Sequence, residues 1–449
     1  MPIPRTGPIT RASCYHDSLL AAINRFLPRR IFASSGSEAP HVRWSERLLV
    51  LCILCMTWDV SATLADRFES ARRCVVKMFS GRRRPGRTYQ GFIAAMASVS
   101  EPLLTKLADH LRGEVRRVAA DHCCWQHKGF VPIGADGSKV ECPKTAANEQ
   151  AFGCAGKKRS TPQQFITTLL HLGTGLVWAF VTGPARSSER AHLRQMLCTL
   201  PERSLLIADA GFTGYDLLEA ILSGGKDLLI RVGSNVRLLT QLGFAVEERG
   251  QTVYLWPEGH RKTRPPLVLR LITLIDGRNR RMHLLSSVLD ETRMSDDAAC
   301  EFYTMRWGVE LYYRALKQTM ARRKLAGDAP ATARMELNWA MMGLWLLCLM
   351  GVAAIVEAKQ DPRRLSVAAA LRRVRRAMRG DPTRRAGGAG LTRQLSGAVS
   401  DPYQRKTSKR ARDWAHKKKP KPIGDPRARK AKRSEVLLAK QFREHRAAA

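Results

Sequence analysis

SLLIADAGFTGYDLLEAILSGGKDLLIRVG, residues 204–233, reads as strand, helix, strand. Residues 204–208 form an apolar run that ends at Asp209 with Gly211 just behind it, 215–222 return to helical spacing, and DLLIRVG at 227–233 is a second buried strand. Apolar runs without alternation suit strands covered on both faces, so the local reading is an α/β sheet. Asp209 then stands at the C-terminal end of a strand, where open α/β sheets gather active-site groups.

The same grammar extends in both directions. Upstream, GFVPIGADGSKVE (129–141) is an apolar run ending at Asp136-Gly137, QQFITTLLHL (163–172) and GLVWAFVTG (175–183) are β-rich, and SERAHLRQMLCTL (188–200) is helical. The order is three strands, helix, strand, helix, strand, with a second acid, Asp136, at a strand end. Taken singly, an Asp-Gly pair is an ordinary turn and Asp209 an ordinary loop starter. Downstream, RLLTQLGF, TVYLWPEG, PLVLRLITLIDG and RMHLLSSVL read as four strands with turns at Glu258-Gly259 and Asp276-Gly277. They form a β insertion at about residues 234–294.

After the insertion comes EFYTMRWGVELYYRALKQTM, residues 301–320. On one continuous helix, Tyr303, Arg306, Glu310, Tyr313 and Lys317 share a stripe about 21 Å long at 1.5 Å per residue. The spacing also describes an amphipathic surface helix with a Glu-Arg-Lys ladder. As chemistry, it lets Glu310 hold a divalent cation while Arg306 and Lys317 grip phosphates. Three carboxylates, Asp136, Asp209 and Glu310, raise one another's pKa at close range. Two Mg2+ ions roughly 3.5 to 4 Å apart relieve that repulsion, and could activate a water or 3′ hydroxyl on one side of a phosphodiester while stabilising the leaving oxygen on the other.

The spacing Tyr303-x2-Arg306-x3-Glu310-x6-Lys317 resembles the third motif of DDE-type bacterial insertion-sequence transposases of the insertion sequence four family. ADGSKVECPKTAANEQAFG (135–153) is similar to the first motif and IADAGFTG (207–214) to the second, so the resemblance covers about residues 130–345. It implies an RNase H-like core interrupted by the β insertion, with Asp136, Asp209 and Glu310 as catalytic, metal-binding triad and Mg2+, with Mn2+ able to substitute, as cofactor. It also implies Arg306 and Lys317 as phosphate contacts at a transposon end, with Tyr303 as their companion. Relatives cut donor DNA, often through a hairpin, join its 3′ ends to target DNA and work as dimers on paired ends. In hairpin-forming relatives an insertion aromatic stacks on a flipped base, a role open to Trp256, although a Trp at a strand end is more often packing. Lys144 departs from the pattern, standing where the family carries an acid between Pro143 and Thr145.

Composition agrees with a nucleic-acid partner. The 449 residues carry 76 Lys+Arg against 39 Asp+Glu, a net +37, and self-repulsion of that size is relieved by a polyanion such as double-stranded DNA. Residues 361–449 alone hold 27 Lys+Arg and 7 Asp+Glu. Eleven scattered cysteines look like free thiols of a reducing cytosol, with Cys52 and Cys55 in an apolar run. His122, Cys123, Cys124 and His127 have metal-ligand chemistry, but adjacent cysteines poorly suit one tetrahedral ion. The N-terminus lacks a secretory pattern, so the expected location is the cytoplasm, and the resemblance implies a bacterial, nucleoid-associated one. The apolar run at 339–356 reaches the length of a membrane span, and its Gly, Ala and Cys content favours a buried helix, so no membrane partner is expected.

The expected organisation is a helical, DNA-binding N-terminal domain (1–127), the catalytic domain (128–345), C-terminal helices (346–380) and a basic disordered tail (381–449). Within the first, the basic loop SGRRRPGRTYQ (80–90), with Arg82, Arg83 and Arg84, is the expected DNA contact. Two other classes fit the same residues: a non-catalytic DNA-binding protein of transposase origin, and a metal-dependent nuclease that cuts without joining.

Overall fold

A computed structural model describes residues 11–32, 44–79, 84–120, 122–154, 161–275, 281–380, 390–400 and 423–448. They fold as two compact units, each assembled from separated segments: residues up to 125, 137–187 and 309–400 in the first, and 126–136, 188–308 and the residues after 400 in the second.

The first unit is organised around the helix Pro330–Glu357, which starts with Pro in its first turn and is apolar on every side. Such a helix is stable only when covered all round, and 94% of its most apolar 18-residue window is buried. The expected buried helix at 339–356 is therefore a core element. The N-terminal helices supply part of the cover. Glu46–Trp58 starts at the cap Ser45 and buries every side chain from Leu48 to Trp58. The Trp58 indole N–H donates to the Gly343 carbonyl at 3.0 Å, and Trp339 donates to Ser100 Oγ at 2.9 Å. Leu64–Met78 and Tyr89–Ala119 are likewise capped, by Thr63 and Thr88. These helices share a unit with residues 309–400 and do not form a body of their own, because the long helix leaves no apolar face for solvent.

The strands are β1 (Val131–Glu141), β2 (Gln163–His171), β3 (Leu176–Pro184), β4 (Ser204–Ala208), β5 (Asp227–Val232), β6 (Arg237–Thr240), β7 (Thr252–Leu255), β8 (Leu267–Ile275), β9 (Arg281–Ser286) and β10 (Arg427–Lys430). β1 runs through the unit boundary. In the first unit its second half is followed in the sheet by β2 and β3, which are antiparallel. In the second unit its first half pairs in parallel with β4, and β4 in parallel with β5. The order β3-β2-β1-β4-β5 with these directions is that of an RNase H-like α/β core. Beyond β5 the second unit continues antiparallel through β9, β8, β7 and β6, the expected four-strand insertion. Of its two expected turns, Glu258–His260 is a short 3-10 turn and Asp276-Gly277 lies outside the described residues.

Two expectations are corrected. β1 does not end at Asp136-Gly137 but continues to Glu141, so strand pairing overrides the turn preference of the Asp-Gly dipeptide. The basic tail is not disordered throughout: a short helix, Leu391–Ser396, belongs to the first unit, and β10 with the helix Arg433–Ala448 belongs to the second. Apolar and ionic anchors outweigh the composition. A Cβ on Gly233 would fall 1.9 Å from Ile423 Cγ2, His283 Nε2 lies 2.9 Å from Asp425, and buried Glu435 lies 2.7 Å from Arg261.

Candidate active site

In the second unit the parallel pairing of β1 and β4 ends at Ala135↔Ala208. The next residues are Asp136 and Asp209, so register alone sets two half-buried acids side by side, about one strand spacing of 4.8 Å apart along the backbone. Asp209 also caps the 3-10 turn Ala210–Phe212, accepting from the Ala210 N–H at 2.9 Å. The Gly behind it has a packing reason, since a Cβ on Gly211 would lie 2.8 Å from the Glu189 carboxylate.

The helix Asp296–Met305, capped by Ser295, brings two expected residues to these acids. The Tyr303 hydroxyl donates to Asp209 Oδ1 at 3.3 Å, and Arg306 Nη1 lies 3.8 Å from Asp136 Oδ2. The Arg306 guanidinium also sits 5.4 Å from the Tyr303 ring centroid. Burial, and then the Asp209 carboxylate, push the Tyr303 phenol up, so it remains a protonated donor at neutral pH. Arg231, on β5, acts on the same phenol and is not singled out by sequence. Its signal is a lone guanidinium inside the otherwise apolar run LLIRV, residues 228–232.

Glu310 and Lys317 belong to the first unit. Residues 301–320 are not one continuous helix: Asp296–Met305 gives way to Trp307–Arg314 and then to a π turn, Ala315–Thr319, closed by Met320 N–H to the Ala315 carbonyl at 2.9 Å. A π turn holds one extra residue and rotates the residues beyond it. The expected single stripe is corrected accordingly. Glu310 is half-buried, whereas Tyr313, on the same short helix, turns inward and donates to Thr168 Oγ1 at 3.0 Å. Lys317 donates to Ser138 Oγ at 2.8 Å, a partner two residues beyond Asp136 that spacing alone does not reveal.

The rest of the first motif is a brace. Thr145 caps Ala146–Phe152 and its hydroxyl donates to the Asp328 carbonyl at 2.9 Å, while Asn148 Nδ2 donates to the carbonyls of Pro143 (3.1 Å) and Gly327 (3.2 Å). Lys144, the departure from the motif, is exposed.

The remaining candidates fare unevenly. Arg82 and Arg83 lie outside the described residues, and Arg84 is exposed. Trp256 is 2% exposed, its indole N–H donates to the Arg264 carbonyl at 2.8 Å, and Phe442 meets its ring edge-on at 6.2 Å. Trp256 is thus packed, as the alternative reading of a strand-end Trp has it. His122, Cys123 and Cys124 approach within 4.8 Å of one another, but His122 Nδ1 accepts from the Cys124 N–H at 3.2 Å and His127 instead lies 3.0 Å from Glu301. Cys52 and Cys55 are buried thiols.

Hard oxygen donors from paired aspartates fit Mg2+ or Mn2+, and Tyr303 and Arg306 beside the pair bring no soft ligand. Residues 132–346 match the family described as Transposase DDE domain. The chain is 25% identical over 351 residues, 73% of its own length and 76% of the relative's, to the "Transposase InsG for insertion sequence element IS4" of Escherichia coli (strain K12). A solved structure, "Cryo-EM structure of piggyBac transposase synaptic complex with hairpin DNA (SNHP)", aligns over 89% of this chain and 87% of that one with 12% identity and a TM-score of 0.40.

Proposed function

We propose that this chain, which matches the Transposase DDE domain family over residues 132–346, is a DDE-type insertion-sequence transposase that cleaves donor DNA at transposon ends and joins the 3′ ends to target DNA. The observation that carries the reading is the register of β1 and β4, which leaves Asp136 and Asp209 adjacent as the parallel pairing stops. Glu310 is the third acid of the triad by the family pattern. Two divalent cations held by the three acids would supply activation of the attacking oxygen and stabilisation of the leaving one. Tyr303 orients the Asp209 carboxylate through its hydrogen bond, and Arg306, beside Asp136, is suited to a phosphate oxygen. Lys317 has the same role from its position by Ser138. The reaction is read as occurring on double-stranded DNA in a bacterial cytoplasm, with a second copy of the chain in the complex.

The test is strand cleavage of a DNA fragment carrying this gene with its native flanks, comparing the wild type with Glu310→Ala in Mg2+ and in Ca2+. Flank-specific cuts that require both Glu310 and Mg2+ are expected. Binding without cleavage by either protein would sink the reading and leave a DNA-binding protein of transposase origin in its stead. Cuts with neither flank specificity nor joined products would indicate a nuclease.

A further inference from the structure

The far edge of the second unit carries a charge arrangement that the proposed reaction does not use. β10 pairs in parallel with β6, and the register puts Arg427 directly beside Arg237. Like charges opposed on neighbouring strands are destabilising. Both side chains are exposed, and both line one cavity of about 630 Å3. Arg190 joins them on its wall, beside Thr213 and Gly214, the residues that close the Asp209 motif. Its Nε donates to the Gly211 carbonyl at 3.0 Å, and its guanidinium lies where a Cβ on Gly214 would come within 3.0 Å.

Two further arginines at this wall already have acidic partners. Arg261 and Arg429 lie 2.7 and 2.8 Å from the buried carboxylate of Glu435, and Glu258, the acid among the cavity's lining residues, lies 3.9 Å from Arg261. Among the described residues no acidic side chain pairs with Arg190, Arg237 or Arg427. Three uncompensated guanidiniums therefore face one concave wall, two of them brought together by the strand pairing that opposes their charges. An anion between them converts the repulsion into charge-assisted hydrogen bonds, and the guanidinium fork matches phosphate. With a net charge of +37 and paired carboxylates on the same unit, the anion that fits is a nucleic-acid backbone.

We propose that this cavity binds a phosphodiester strand of DNA through Arg190, Arg237 and Arg427, so that the C-terminal strand β10 is part of the DNA-binding surface. The proposal rests on the DNA-processing reading above, but its test does not depend on cleavage. Full-length protein is titrated with the flank-bearing duplex in Ca2+, by fluorescence anisotropy over a series of salt concentrations. Arg237→Gln and Arg427→Gln each weaken binding roughly tenfold at about 0.1 M salt, and the double variant lowers the slope of log K against log salt by about 2. Without DNA, Arg427→Gln raises the melting temperature because the opposed charges are gone; a purely structural arginine would lower it and leave the salt slope alone. An unchanged affinity and slope in the double variant overturn the proposal. So does a site that binds inorganic phosphate in an Arg237- and Arg427-dependent way while duplex binding is untouched. A wild type that binds through these arginines yet never cuts at the flanks would refute the transposase reaction and leave this site standing.

Discussion

Glu336→Gln is expected to destabilise the first unit by about 3–5 kcal/mol, the penalty for breaking one partner of a buried charge network. Glu336 is 6% exposed, and its Oε1 lies 2.8 Å from Arg67 Nη1 and 3.9 Å from Arg322 Nε. Its Oε2 accepts from the N–H groups of Ala326 (2.7 Å) and Gly327 (3.1 Å). An amide has one acceptor where the carboxylate has two, so glutamine either abandons both backbone donors or points its own NH2 at a guanidinium. Arg67 and Arg322 would stay buried with their counter-charge removed. At ~2–4 °C per kcal/mol for a unit of this size, the melting temperature falls on the order of 10 °C. Urea unfolding followed by tryptophan fluorescence reads the change, because Trp58, Trp339 and Trp345 are all fully buried in this unit. A loss below about 1 kcal/mol would refute the reasoning. Replacing both Arg67 and Glu336 by methionine is not expected to restore stability, since two backbone donors would remain orphaned at ~1–3 kcal/mol each.

Asp209→Asn should remove several kcal/mol of transition-state stabilisation, or about 10^3-fold in cleavage rate at the flanks, while duplex binding in Ca2+ is retained. Tyr303→Phe deletes one hydrogen bond to Asp209 and should slow the same cleavage by only about two- to tenfold; a 10^3-fold loss would mean that the hydroxyl does more than orient a carboxylate. Gly343→Ala would bring a Cβ to 2.1 Å from Thr57 Oγ1. The overlap should cost ~1–3 kcal/mol despite alanine's better helix propensity, with partial recovery in Thr57→Ala/Gly343→Ala. The guanidinium of Arg429, then the Lys432 N–H and Arg261, hold the Glu435 carboxyl down to about 2. A carboxyl depressed in the folded state contributes stability that is full above its ordinary value near 4.5 and lost as pH falls through about 2. Hydrogen exchange in Arg433–Ala448 should therefore accelerate between those pH values in the wild type, and already be fast at pH 7 in Glu435→Gln.

The strands were legible because burial on both faces leaves unbroken apolar runs, and LLIA and DLLI need little context to be read. Several helix starts are equally local, set by a Ser or Thr such as Ser45, Thr63, Thr88 or Ser295 whose hydroxyl accepts the N–H three residues on. Legibility failed wherever pairing outbids propensity. Asp136-Gly137 has turn chemistry, yet β1 runs on to Glu141, whose N–H donates to the Arg323 carbonyl at 3.0 Å and whose carbonyl accepts from Leu325 N–H at 2.8 Å. The π turn at 315–319 adds one residue to a helical period and leaves no composition mark, so the stripe from Tyr303 to Lys317 read as one continuous helix, whereas the helix breaks after Met305 and Lys317 lies within the π turn.

For the site, residue identities were legible and geometry was not. Spacing picked out Asp136 and Asp209, but their adjacency comes from a parallel register that joins residues some seventy positions apart in the chain, while Ser138 enters only through its contact with Lys317 and Arg231 only through its effect on the Tyr303 phenol. The tail shows the same limit from the other side. Lys- and Arg-rich composition argued for a solvated chain, and composition sums over residues, whereas docking needs only a few anchors that a neighbour can receive. Ile423 requires a glycine opposite, Phe442 an indole edge, and Glu435 two arginines, and the described part of the tail meets all three in the second unit. Its positive charge is thereby presented at a fixed strand edge, where Arg427 stands in register with Arg237. A freely solvated tail of the same charge would add salt-sensitive affinity with no geometry. A docked one can direct a strand.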